Sequence, residues 1–99
     1  GWNAPIVAAG PGEVIFAGRK GGAGITVDID HGNGFISRYA HLNRMTVKRG
    51  DTVALGDQVG LMGSTGRSTG PHLHYEVHFN GKAHNPVEFM KAGKHVHQD

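Results

Sequence analysis

Apolar and polar residues alternate along much of this chain, and the alternation predicts short β-strands. The clearest case is Ile25–Asp30, where the odd-numbered residues are apolar and the even-numbered residues are polar. Alternate residues of a strand share a face. We therefore expect the odd positions to lie in the core, and Thr26, Asp28 and Asp30 to face solvent or shape the turn that follows.

Turn signals separate six or seven such segments. Asn33-Gly34 and Asn80-Gly81 are strong hairpin signals, and 17 glycines punctuate short apolar runs without a regular period. Asn85-Pro86 is the one helix signal, with Asn85 as the N-cap of a short terminal helix. The predicted fold is all-β, an antiparallel β-sandwich or β-roll of short strands with Gly-rich turns and little helix. We expect one domain over residues 1–90 and a tail over 91–99.

The segment His72–Phe79 is a predicted strand with histidines on its polar face. His72 and His74 would project from one face roughly 6.6 Å apart at the backbone. That spacing suits one metal ligand beside an acid/base group, or two ligands that converge, although a solvated polar pair has the same pattern. His78 continues this face, and we expect it to be exposed to solvent.

Composition narrows the chemistry. The chain has no Cys, which excludes disulfides and thiolate metal sites, and its eight histidines leave His with Asp or Glu as the only metal ligands. The net charge of +2 comes from scattered Lys and Arg, without the aromatic interleaving of nucleic-acid binders, so we expect no nucleic-acid partner. The mild positive charge would favour an anionic partner such as a cell-wall polymer, but the same surplus is common on ordinary protein surfaces.

Three features together suggest a hydrolase. His41 ends a predicted strand, a small-residue loop spans Gly63–Gly70, and the His72/His74 pair follows it. A metal-assisted hydrolase needs three protein ligands with an open position for water, and groups that handle protons and an oxyanion. His74 could be a ligand, with His72 and His41 in the proton-handling and oxyanion roles.

The chain resembles the lysostaphin-type (LytM-like) zinc metallopeptidases, which cut peptide bonds in bacterial peptidoglycan. The resemblance runs from about Pro5 to Phe89 and depends on the order of many short motifs. These motifs include Asp30-His31-Gly32-Asn33-Gly34, Tyr39-Ala40-His41-Leu42, Gly63-Ser64-Thr65-Gly66, Ser68-Thr69-Gly70-Pro71-His72-Leu73-His74-Tyr75-Glu76 and Asn85-Pro86.

The resemblance implies a role for each matched histidine. His74 would be a zinc ligand, His72 a catalytic base beside the zinc-bound water, and His41 a second catalytic histidine that steadies the oxyanion. His31 matches a turn without a chemical role and is expected at the surface. The implied partner is peptidoglycan peptide, and the implied location is the bacterial cell envelope or its exterior.

One part of the family pattern is missing. The family's other two zinc ligands, a His and an Asp four residues later, precede the segment that matches Pro5–Ala9, whereas no His in this chain precedes His31. We expect the 99 residues to be a fragment that is inactive by itself, with the missing ligands on an upstream segment or a separate chain. The alternatives are a degenerate domain that binds the wall or activates another hydrolase, and substitution by the tail residues His95, His97 and Asp99.

Overall fold

The structure is a computed structural model that describes residues 3–63 and 74–84, without the side chains of His74 and His84. Eight strands form within these residues, and a single 3-10 turn at Gly21–Ala23 is the helical element they contain. The strands are β1 (Pro5–Val7), β2 (Gly12–Arg19), β3 (Ile25–Gly32), β4 (Phe35–Met45), β5 (Thr52–Val53), β6 (Gln58–Met62), β7 (His74–Phe79) and β8 (Lys82–His84).

All eight strands belong to one antiparallel sheet, which confirms the predicted all-β class. The order is β1-β6-β4-β3-β2-β5, and β7 pairs with both β4 and β8. The long strand β4 organises this arrangement: β3 covers one of its edges, while β7 and then β6 share the other. No helix in the described part of the chain is long and apolar enough to cross a bilayer.

The two predicted hairpins are confirmed. Asn33 and Gly34 have φ of 55° and 87°, and Asn80 and Gly81 have φ of 52° and 84°. Positive φ at both central residues defines the tight turn that matches the twist of paired strands. The turns lie side by side, since the Asn80 N–H donates to the Gly34 carbonyl at 2.8 Å.

The core is aliphatic with one large aromatic ring, and Tyr39 is its largest fully buried side chain. Each strand from β1 to β6 contributes to it. Its members are Ile6, Ala8, Val14, Val27, Ile29, Tyr39, Leu42, Val53 and Val59.

Three expectations about polar residues, those for Thr26, Asp28 and His78, were wrong. Thr26 and Asp28 are buried although the alternation of β3 predicted exposure; side chains cover the second face of this central strand as well. His31 is half-buried, and both of its ring nitrogens have hydrogen-bond partners. The side chain of His78 is 16% exposed and contacts Glu76. Asp30 is exposed and accepts a hydrogen bond from the Gly32 N–H, as a turn-shaping residue should.

The expected terminal helix at Asn85 and the tail over 91–99 lie outside the described residues.

Candidate active site

Strand pairing brings two of the predicted site residues together. Residue 74 lies directly opposite Ala40 in the β4–β7 pair, and His41 follows Ala40 along the chain. Directly opposed residues of an antiparallel pair have Cα atoms about 4.5–5.5 Å apart, and neighbouring residues are 3.8 Å apart. The Cα atoms of His41 and His74 are therefore no more than about 9 Å apart.

His41 has an unusual backbone. Its φ is +57°, in the left-handed region that few residues other than Gly adopt, although Asn, Asp and His enter it more often than most. The register of β4 is irregular on both of its edges here, between Ile25 and Val27 of β3 and between Leu42 and Arg44 of β4 itself. Irregularities of this kind redirect a side chain and are common beside active sites.

A row of charged and polar side chains runs from Lys20, just after β2, across β3, β4 and β7. Its Arg38 and Glu76 lie two positions from the Ala40–His74 pair. We call Lys20, Asp28, Arg38, Glu76 and His78 the charge row. Asp28 is opposite Arg38, and Arg38 is opposite Glu76. Lys20, Asp28, Arg38 and Glu76 alternate in sign along the row.

Asp28 is the centre of the charge row. Arg38 donates from Nε to Oδ1 at 2.9 Å and from Nη2 to Oδ2 at 3.1 Å, and Lys20 Nζ donates to Oδ2 at 2.9 Å. Burial alone would raise the pKa of Asp28, but hydrogen bonds from Arg38 and Lys20 outweigh it and the pKa is lowered. The same contact raises the pKa of Arg38, so both groups stay ionised at neutral pH.

At the β7 end of the charge row, Glu76 contacts His78 but does not hydrogen-bond Arg38. Glu76 Oε1 is 2.8 Å from His78 Nε2 but 3.7 Å from Arg38 Nη1. The second distance is too long for a hydrogen bond. Sequence reasoning missed Arg38 as a candidate functional residue. The sequence did contain a signal for it, because Arg38 is two positions before Ala40 and therefore on the same face of the predicted strand.

The opposite face of β4 and β7 holds a polar chain and a cavity. His31 Nδ1 lies 2.7 Å from the Pro11 carbonyl and Nε2 lies 2.6 Å from Ser37 Oγ. The Ser37 and Tyr39 hydroxyls are hydrogen-bonded at 3.0 Å, and the Ala9 N–H donates to Tyr39 at 2.9 Å.

The cavity of about 350 Å³ beside this chain is lined by Tyr75 and Val77, among others. These are the odd-numbered positions of β7, whereas Glu76 and His78 lie on the other face. Burial, and then the neighbouring Tyr39, raises the pKa of Tyr75. The cavity is thus on the core side of the sheet, on the face opposite Glu76 and His78.

The described residues do not make a zinc site by themselves. Within 3–63 and 74–84, no group of three or more His, Cys, Asp or Glu side chains is placed to hold a metal ion. His41 and the backbone of His74 are described, whereas His72 and the small-residue loop after Gly63 lie outside the described ranges. The roles of all three histidines therefore remain predictions.

Comparison with known proteins decides the family. The model of peptidase family M23 matches residues 2–86. The chain belongs to peptidase family M23. Two relatives have named activities. The DD-carboxypeptidase/endopeptidase Mpg of Neisseria meningitidis is 51% identical over 84% of this chain. The peptidoglycan DD-endopeptidase ShyA of Vibrio cholerae is 46% identical over 89% of it. The matched regions are 19% and 20% of those proteins, so the chain spans about a fifth of their length.

Solved structures agree with the M23 assignment and confirm the lysostaphin-type resemblance. The catalytic domain of lysostaphin from Staphylococcus simulans superposes with a TM-score of 0.84 and 34% identity, over 92% of this chain and 73% of that one. A zinc-containing peptidase from Vibrio cholerae superposes with a TM-score of 0.79 and 39% identity, over 83% of this chain and 25% of that one.

Proposed function

We propose that this M23 domain is the catalytic part of a zinc metalloendopeptidase that cleaves peptide cross-links or stem peptides of bacterial peptidoglycan. The observation that carries the proposal is the pairing of Ala40 with residue 74, which brings His41 within reach of His74. Relatives named as peptidoglycan and DD-specific peptidases support the substrate class. A protein with this substrate works in the cell envelope or outside the cell.

His41 and His72 are proposed to handle protons and the developing oxyanion. A neutral imidazole can donate from one nitrogen and accept at the other, so one histidine can take a proton while another donates to a carbonyl oxygen. The redirected backbone at His41 aims this side chain away from the regular alternation of β4, which suits a residue that must reach a substrate.

His74 is proposed as one zinc ligand, and the remaining ligands are proposed to come from a segment outside these 99 residues. The described residues contain no three-ligand group, and one imidazole does not hold zinc tightly. A zinc-containing peptidase among the structural neighbours supports zinc as the metal. The 99 residues alone are then expected to be inactive.

Digestion of purified peptidoglycan tests this function. The full-length protein should release new peptide amino groups from cell-wall sacculi, detected by mass spectrometry of the soluble fragments. His41→Ala and His72→Ala should each lower the rate by two orders of magnitude or more, while Asp30→Asn, an exposed control, should not change it. Cleavage of glycan instead of peptide, or no cleavage by the full-length protein, would overturn the proposal and favour a non-catalytic wall-binding domain.

A further inference from the structure

Arg38 has unused hydrogen-bonding capacity at the edge of the candidate site. Its Nε and Nη2 donate to Asp28, which fixes the plane of the guanidinium. Nη1 has no hydrogen-bond partner among the described residues, because Glu76 lies beyond hydrogen-bond range at 3.7 Å. The side chain is 24% exposed, so a ligand can approach this edge.

Arg38 lies on the same face of the sheet as the proposed zinc ligand His74, a short distance along the strands. Arg38 is two residues before Ala40 on one face of β4, and Ala40 is opposite residue 74. Two residues of a strand span about 6.6 Å. The carboxylate oxygens of a C-terminal residue lie roughly 3–4 Å from the nitrogen of the scissile amide, so a donor that binds them sits about 6–7 Å from that nitrogen. A guanidinium that extends from Arg38 along this face can therefore bind a substrate carboxylate without touching the scissile bond.

The proposed function supplies a substrate with such a carboxylate. One relative is named as both a carboxypeptidase and an endopeptidase. A carboxypeptidase releases the last residue of a peptide, so its substrate carries a free α-carboxylate one residue beyond the scissile bond. We propose that Arg38 binds the free carboxylate of the substrate residue on the leaving-amine side, an inference that rests on the proposed function.

The fixed orientation of Arg38 is central to this role. Guanidinium is rigid, planar and always charged, and it recognises carboxylates through two parallel N–H groups. Asp28 is buried behind it and holds it in place, so little rotamer entropy is lost when a second carboxylate binds. Glu76 opposes an incoming anion, but Lys20, whose side chain is 38% exposed, adds a second positive charge to the same face.

The test compares two peptides that end in D-Ala-D-Ala, one with a free carboxylate and one with a carboxamide, in the full-length protein. Because both are assayed on the same preparation, the ratio of their kcat/KM values does not depend on the folded fraction. The wild type should prefer the carboxylate by about tenfold, which is the usual value of a hydrogen bond to a charged group. Arg38→Gln should bring the ratio close to one, mostly through KM.

Two further variants distinguish carboxylate recognition by Arg38 from effects of overall charge and of protein stability. Arg38→Lys keeps the charge and a single contact to Asp28, so it should retain stability but lose most of the preference. Lys48→Gln removes a cation whose side chain is 87% exposed, and it should leave the ratio unchanged. An unchanged ratio in Arg38→Gln, or an equal loss in Lys48→Gln, would overturn the assignment.

A binding measurement distinguishes failure of the proposed function from failure of the proposed role of Arg38. If the full-length protein hydrolyses neither peptide, the proposed function fails, and binding of N-acetyl-D-alanine against its amide then decides the role of Arg38. The carboxylate should shift the Arg38 side-chain NMR signal and the amide should not. Equal shifts, or no shift with either compound, would show that this edge does not bind a carboxylate.

Discussion

Asp28 and Arg38 are joined by two parallel hydrogen bonds across β3 and β4, and Asp28 is only 4% exposed. Removal of one partner from such a pair leaves the other charge poorly solvated. Asp28→Asn should therefore lower the free energy of unfolding by about 2 kcal/mol, measured by urea denaturation. Asp30→Asn, two residues later on the exposed side of the turn, should change it by less than about 0.5 kcal/mol. Equal effects of the two substitutions would contradict the buried ion pair.

The same pair predicts how stability depends on pH. The pKa of Asp28 is lower in the folded protein than its ordinary value, so the folded state favours the ionised form. The stabilisation is complete above the ordinary aspartate pKa of about 3.9 and is lost as the pH falls through the lowered folded value. The difference in unfolding free energy between wild type and Asp28→Asn should therefore shrink on acidification below about pH 4. A difference that grows in acid would contradict this.

His41 predicts an unusual order of stability among its own variants. With φ of +57°, this position disfavours any side chain with a Cβ, whereas glycine adopts it without strain. His41→Gly should be more stable than His41→Ala by roughly 1 kcal/mol, although both lose peptidase activity. Thermal unfolding of the two variants measures the difference. If alanine proves the more stable, the backbone at this site is not in the left-handed region.

The polar chain on the core side predicts the cost of losing one hydroxyl. The Tyr39 hydroxyl accepts from the Ala9 N–H and from the Ser37 hydroxyl, so Tyr39→Phe removes both hydrogen bonds and leaves the Ala9 N–H without this acceptor, while Ser37 keeps its contact with His31. The unfolding free energy should fall by about 1–3 kcal/mol. The ratio of carboxylate to carboxamide cleavage should not change, because Tyr39 faces away from Arg38. A changed ratio would mean that the two faces of β4 are coupled.

The sequence predicted those features of the fold that depend on neighbouring residues in the chain. Asn33-Gly34 and Asn80-Gly81 identified both hairpins because few residue pairs accept two consecutive positive φ values. The burial of Asp28 was missed because it depends on a residue in another strand. A regular two-residue hairpin at Asn33-Gly34 would place Asp28 opposite Tyr39, but the register shifts between Asp30 and Gly32, and Asp28 faces Arg38 instead.

The candidate site shows the same limit. The family resemblance predicted His41 and His74 as site residues. The pairing of Ala40 with residue 74 joins segments more than 30 positions apart and follows only from the folded sheet. The left-handed backbone of His41 had no local signal either, since His-Leu is not a typical turn sequence.

Zinc content measures the central claim most directly. The full-length protein, its His74→Ala variant and the 99-residue chain should each be dialysed against metal-free buffer and analysed for bound zinc by mass spectrometry. The account predicts about one zinc per full-length molecule, strongly reduced zinc in His74→Ala, and none retained by the 99-residue chain, since three ligands are needed for a catalytic site. Tight zinc binding by the 99-residue chain, or full zinc content in His74→Ala, would contradict the account.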